Sequence, residues 1–202
     1  MEATGMVHRR VRSRRRWRTV DIVVASVVAV AGGVVFWGWD QLWAATGAAF
    51  SAFPPAQAVM YGVWLAPGVV GALILRKPGA AVYTELVASV VEALLGNQWG
   101  LSVVAYGLAQ GVAPEIVFAA FVYRWWRLPV PALAGAAAGL AAASLDLVYY
   151  YGAWRADWKL TYVLIVMASS LVIAGVGGSA LVKALARTGA LQPFASGRSA
   201  SV

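Results

Sequence analysis

Arg14-Arg15-Arg16-Trp17-Arg18-Thr19-Val20-Asp21-Ile22-Val23-Val24-Ala25-Ser26-Val27-Val28-Ala29-Val30 opens on arginines and passes at once into an apolar run. The run continues to Trp43. A helix rising 1.5 Å per residue needs about 20 residues to cross the hydrocarbon of a bilayer, and this stretch supplies them. It is too long for the core of a cleaved signal and has no cleavage-type polar break. The arginines ahead of it, seven from Arg9 to Arg18, mark the retained cytoplasmic side. Each is worth about 1 kcal/mol against anionic lipid, so the tail needs no nucleic acid to explain it.

Following basic residues outward from this junction predicts six spans. The first ends in Trp37, Trp39, Asp40 and Trp43, and its loop through Pro54-Pro55 has no lysine or arginine, which places it outside. The second, about Ala56 to Leu75, stops at Arg76-Lys77-Pro78-Gly79, a basic turn and helix break on the inside. The third, Ala80 to Leu95, leads out through Gly96-Asn97-Gln98-Trp99-Gly100. The fourth, Leu101 to Trp126, contains Gly107, Gly111 and Pro114, predicts a kink or break there, and returns inside at Arg124 and Arg127. The fifth, Pro131 to Tyr151, begins rich in alanine and glycine and ends in Asp146 and three tyrosines. The sixth, Trp158 to Ala186, leads to Lys183, Arg187 and Arg198.

Fourteen of the sixteen lysines and arginines then fall on one side, with only Arg155 and Lys159 on the other. The expected fold is an all-α integral membrane protein of six transmembrane helices with both termini cytoplasmic. Residues 1–19 form a basic tail, 20–187 the membrane domain and 188–202 a flexible C-terminal tail. Composition agrees: 61% of the 202 residues are hydrophobic and 12% charged, with a mean hydropathy of +0.73.

Enzyme chemistry is poorly supplied. There is no cysteine and one histidine, His8, in the tail, so no metal centre and no serine–histidine or zinc site is predicted. No GxGD motif surrounds Asp21, Asp40 or Asp146, and no phosphate loop of the GxxxxGK[ST] form occurs. No cofactor is called for, and transport driven by ATP would need a partner to hydrolyse it.

What the chain offers is acid at membrane depth, which is costly unless wet or paired and is therefore a functional candidate. Glu85 and Glu92, seven apart, share one helix face. Glu85 lies near the Arg76-Lys77 turn, whereas Glu92 lies toward Asn97, Gln98 and Trp99. Glu115 follows Pro114 in the irregular fourth span, near Gln110. Asp146 stands one turn from Tyr149 and Tyr150 at the outer mouth. Carboxylates beside aromatic rings suit a flat cationic ligand, since each ring adds roughly 0.5 to 2 kcal/mol of cation–π attraction. The candidate ligand residues are Glu92, Asn97, Trp99, Gln110, Glu115, Asp146, Tyr149 and Tyr150. An interfacial aromatic belt accounts for other tryptophans. Ala25, Ala29 and Gly33 form a ridge of small residues that lets another helix approach, from this chain or a partner.

Three segments together carry a family resemblance. Arg76-Lys77-Pro78-Gly79-Ala80-Ala81 with Glu85, then Glu92-Ala93-Leu94-Leu95-Gly96-Asn97-Gln98-Trp99-Gly100, then Gly107-Leu108-Ala109-Gln110-Gly111 with Glu115 and Phe118, resemble the YkoE family. Its members are membrane-embedded S components, the substrate-binding subunits of energy-coupling factor (ECF) transporters. The resemblance implies six helices, a pocket open to the outside for a vitamin or its precursor, and delivery inward with a transmembrane T component and two ATPases. It also implies an AxxxA pattern packed on the T component, which Ala25 and Ala29 match, with Gly33 extending the ridge. The YkoE branch is associated with thiamine or its hydroxymethylpyrimidine precursor. Similar sequences have been linked to cobalt, for which this chain has no clustered ligand set. The reading from residues alone keeps open a stand-alone secondary transporter or proton-coupled exporter of organic cations, with Glu85, Glu92 and Glu115 as a relay.

Overall fold

The computed structural model describes residues 16–198. Most of the basic tail, His8 and residues 199–202 lie outside the described residues. Among the described residues every regular element is helical. Helix α1 spans Thr19–Thr46 and leads through a short 3₁₀ turn, Gly47–Phe50, into a 3₁₀ helix, Pro54–Leu65, that continues directly as α2, Ala66–Leu75. Helices α3 (Ala80–Leu95), α4 (Ser102–Ala120) and α5 (Pro129–Tyr149) follow. Helix α6, Ala156–Ser170, runs through a π-helical segment, Leu171–Gly177, into α7, Gly178–Arg187, and a last turn, α8, spans Ala195–Arg198.

Five helical stretches are long and apolar enough to cross a membrane: Thr19–Phe50, Pro54–Leu75, Ser102–Ala120, Pro129–Tyr149 and Ala156–Arg187. Helix α3, with 16 residues and two glutamates, is shorter. It is wedged between α1 and α4; beyond α4 the order of packing continues through α5 and α6 to the 3₁₀ helix. Inside this circuit α2 is enclosed on all sides, with every residue from Pro67 to Leu75 buried. The valines of α1 that face outward, such as Val23 and Val27, are about half exposed, as expected for a surface whose solvent is lipid.

Close contact of small residues holds the bundle. A Cβ added to Gly33 would stand 2.6 Å from the Ala88 carbonyl and from Val91 Cβ, while Ala25 and Ala29 are buried. The ridge expected as a partner interface therefore packs α1 against α3 of the same chain. Val34 and Val35, on other faces of α1, are the exposed residues at that level. Likewise Gly71 meets Thr84, with 2.2 Å between an added Cβ and Thr84 Oγ1.

Expected and observed helix breaks also differ. Helix α4 runs through Pro114 without interruption. One proline removes one backbone donor, and here Gly111 lets the helix press against α3, where an added Cβ would lie 2.8 Å from Val82 Cα. The irregular backbone is instead at the 3₁₀-to-α junction before α2 and in the π segment. At the first, Glu85 Oε2 accepts a proton from the Gly68 amide at 2.6 Å. At the second, Gly175 approaches the Pro131 carbonyl and Ala132.

The basic end is fastened by named polar groups. Asp21 accepts the Arg18 amide proton at 2.6 Å and caps α1 from its third position. It also pairs with the Arg18 guanidinium and with the Lys77 ammonium, which donates as well to the Arg16 carbonyl at 2.6 Å. Trp17 Nε1 donates to the Pro78 carbonyl at 2.9 Å. Arg76 and Gly79 take left-handed conformations, with φ of 53° and 82°, and so turn the chain within four residues. Glu115 then accepts from the Gly79 amide at 2.6 Å, the Ala81 amide at 2.9 Å and the Tyr123 hydroxyl at 2.6 Å. A carboxylate at the start of α3 also suits the helix dipole.

As far as Arg198, the segment expected as a C-terminal tail folds back onto the bundle. Leu191 and Phe194 are buried, and Ser196 Oγ donates to the Ile74 carbonyl at 3.0 Å.

Replacing Gly71 by leucine forces α2 from α3 and should cost about 1–3 kcal/mol. Glu115→Ala strips two amides and a phenol of their acceptor and should cost a similar amount. Both variants should show lower thermal midpoints in detergent by size-exclusion recovery after heating; wild-type midpoints would contradict the packing and capping roles.

Candidate functional site

At the end of the bundle opposite the Arg76–Gly79 turn, α2 has given way to the 3₁₀ helix and the centre opens. A cavity of about 210 Å³ occupies the space. Phe36 and Trp43 of α1 and Tyr61 and Trp64 of the 3₁₀ helix form one side. Ser89 and Glu92 of α3 and Trp99 of the following loop close the second. Helix α4 contributes Val103, Tyr106 and Gln110, one helical face at spacings of three and four. Asp146 of α5, Tyr150 and Tyr151 just past its end, and Tyr162 of α6 complete the wall.

Two acidic centres lie in this wall. Asp146, 5% exposed, accepts the Tyr106 hydroxyl proton on Oδ1 at 2.9 Å and the Tyr162 hydroxyl proton on Oδ2 at 2.7 Å; Tyr61 stands beside the same carboxyl. The second centre is Glu92, 3% exposed, with Asp40 next to it. Asp40 is fully enclosed, and its Oδ1 accepts from Trp64 Nε1 at 2.9 Å. Trp64 is the hub of an aromatic cluster, with ring centroids 5.2 Å from Trp43, 5.5 Å from Tyr61 and 5.9 Å from Trp99, all edge to face.

Of the residues expected from sequence, Glu92, Trp99, Gln110, Asp146 and Tyr150 line this one cavity. Asn97 stands behind it. Its Oδ1 accepts the Trp99 amide proton at 2.7 Å and so sets the loop that carries the indole. Tyr149 is 69% exposed on the outer side of Tyr106, 6.4 Å between rings. Glu115 is at the basic end, in the cap of α3 described above.

Asp40, Tyr61, Trp64, Tyr106 and Tyr162 were not singled out as ligand residues from sequence. The spacing of Val103, Tyr106 and Gln110 was a usable signal, but the phenols around Asp146 come from different helices and no spacing relates them. No basic side chain lines the cavity, and among the described residues no group of three or more His, Cys, Asp or Glu is arranged for a metal ion. Aromatic faces, carboxyls and an amide make a chamber for a flat organic molecule with hydrogen-bonding edges and positive charge.

Residues 20–141 match the family model for the permease component of an ABC-type cobalt transport system. The chain is 35% identical over 185 residues, 91% of its own length and 92% of the relative's, to YkoE of Bacillus subtilis (strain 168), which carries the name HMP/thiamine permease protein. A crystal structure of an S component of an ECF transporter superposes with a TM-score of 0.87 at 34% identity, covering 91% of this chain and 93% of that one. The last two likenesses extend over 91% of the chain and identify a transport subunit rather than an enzyme. The chain belongs to the YkoE family of ECF-transporter S components.

Proposed function

We propose that this protein is the capture subunit of a vitamin importer, binding thiamine or its hydroxymethylpyrimidine precursor in the aromatic cavity from outside the cell. The observation that carries the reading is an acid-lined aromatic chamber at the end opposite the basic turns. In this reading α3, the third in chain order, brings the spans to six: at 16 residues it measures about 24 Å, less than the hydrocarbon thickness, but α1 and α4 pack along it. Both termini lie in the cytoplasm, in keeping with the arginines ahead of α1 and with Arg187 at the end of α7. A T component and ATPases supply the energy, since the chain has no phosphate-binding loop of its own.

Thiamine fits the chemistry of the wall. Its thiazolium is a permanent cation, and its aminopyrimidine offers a flat face and hydrogen-bonding edges. The alternative of a proton relay asks Glu85, Glu92 and Glu115 to share one path. Glu115 is engaged by two amides and a phenol at the basic end and Glu85 by the Gly68 amide, which favours capture.

Titrating the purified protein with thiamine and with hydroxymethylpyrimidine, followed by tryptophan fluorescence, tests the reading. Saturable quenching by at least one compound is expected, and Asp146→Asn should weaken it by about tenfold or more, or 1.4 kcal/mol. No response to either compound would reject the substrate assignment. Orientation is checked separately, because the chain has no cysteine of its own. A single cysteine at Ser51 should react with a membrane-impermeant maleimide on intact cells, and one at Thr188 only after permeabilisation; the reverse pattern would invert the topology.

A further inference from the structure

We propose that Ser169 and Glu85, neither of which lines the cavity, are positioning residues for capture: together they hold the second passage in its 3₁₀ form, which keeps Tyr61 and Trp64 on the cavity wall. This rests on the capture reading above and adds to it the device that shapes the wall.

A 3₁₀ helix of 12 residues is far longer than the three or four that this geometry ordinarily sustains. The burial pattern matches it. Pro55, Ala58, Tyr61 and Trp64 recur every third residue and are all buried, forming one eclipsed face of a helix with 3.0 residues per turn. Gly62 and Leu65 make a second buried column with the same spacing. At 3.6 residues per turn, each step of three would swing about 60° further round, and the first four would spread over about 180°. The face exists only while the segment is 3₁₀.

Two side chains from other helices stand where this backbone needs partners. The Ser169 hydroxyl, at the end of α6, accepts the Gly62 amide proton at 3.0 Å and donates to the Val59 carbonyl at 2.7 Å. Those two backbone groups, three residues apart, are partners in an uninterrupted 3₁₀ ladder, so the hydroxyl is inserted into the ladder itself. Gly62 admits it: an added Cβ would stand 2.6 Å from the Ser169 carbonyl and 2.8 Å from Ile173 Cβ in the π segment. At the lower end, Glu85 Oε2 takes the Gly68 amide proton at 2.6 Å. In an α-helical passage the Gly62 amide would turn to the Ala58 carbonyl and the Gly68 amide to the Trp64 carbonyl. Ser169 and Glu85 thus favour the 3₁₀ form by engaging amides that an α-helix would satisfy internally.

The consequence for the wall follows from helix geometry. Enclosed on all sides, α2 stays in place, and the segment above it winds toward α when its side-chain partners are lost. Counted from Ala66, that change turns Trp64 by about 40° and Tyr61 by about 100°, and draws Tyr61 about 2.5 Å along the axis. Both rings line the cavity, and Trp64 packs on Trp43 and Trp99. The wall would be remade with no change to any residue in it.

Fluorotryptophan-labelled protein in detergent tests this by fluorine NMR, the Trp64 line being assigned by its loss in Trp64→Phe. In Ser169→Ala and Glu85→Leu the Trp64 line should move or split without ligand present. Thiamine and hydroxymethylpyrimidine, titrated against the same samples, should each lose about fivefold or more of whatever affinity wild type shows, the worth of one hydrogen bond. Glu85→Gln keeps an acceptor oxygen and should hold both the line and the affinities within about twofold of wild type. A merely structural role would lower the thermal midpoint and leave the line and the affinity of the folded protein in place, and that result would overturn the proposal. So would a line displaced with affinity unchanged. Should Glu85→Leu fail to fold, Ser169→Ala carries the test. A wild type that binds neither compound would remove the capture reading, whereas the Trp64 line would still decide whether Ser169 and Glu85 set the position of that ring.

Discussion

The carboxyl of Glu85 accepting the Gly68 amide proton is the contact on which the layout of the molecule turns. At that point the second transmembrane passage changes from a 3₁₀ helix to an α-helix, and a change of helix type leaves an amide without its usual carbonyl. In lipid no water can serve as substitute. Glu85, fully enclosed on α3, supplies the acceptor, with Gly68 and Gly111 bare enough to let its side chain in; an added Cβ on either would stand about 3 Å from it. Below the junction α2 fills the middle of the bundle. Above it the 3₁₀ helix carries Tyr61 and Trp64 to the edge of an open space, and the cavity follows.

The two ends of the bundle are thus built for different work. At the basic end charged groups are spent on fastening: Asp21 with Arg18 and Lys77, Glu115 with the first amides of α3, and Trp17 with the turn. Every one of these contacts is local to a helix terminus, where backbone groups need partners anyway. At the aromatic end the acids are held differently, by phenols and an indole, inside a wall with no basic residue. An acid satisfied by weak donors stays available to a ligand in a way that an acid in a salt bridge does not. This contrast distinguishes Asp146 from Asp21, although sequence position alone makes the two look alike.

Small residues serve the same plan. The sequence offers Ala25, Ala29 and Gly33 as a surface for a neighbour without naming it, and α3 takes the place. Packing α1 so tightly on α3 sets Asp40, about two turns beyond Gly33, beside Glu92 and brings Trp43 to the cavity wall.

The sequence by itself determined that this is a helical membrane protein, because the apolar run from Val20 and the arginines before it admit no soluble alternative. It also determined the turns at Arg76–Gly79 and near Arg127, and five residues that line the cavity, since acids and tryptophans near the uncharged loops stand out from their apolar surroundings. Other features were decided only in three dimensions. Pro114 looked like the break, but whether a proline bends a helix depends on what its neighbours press against, and Glu115 anchors that stretch to the turn. Glu115 read as a ligand residue, yet the three donors that claim it come from residues 34 and 36 positions upstream and from a tyrosine beyond its own helix. The phenols on Asp146 and the pairing of Asp40 with Glu92 were equally hidden. Spacing along a chain reports one helix face at a time, whereas a pocket is made where faces of several helices converge, and that convergence is set by packing.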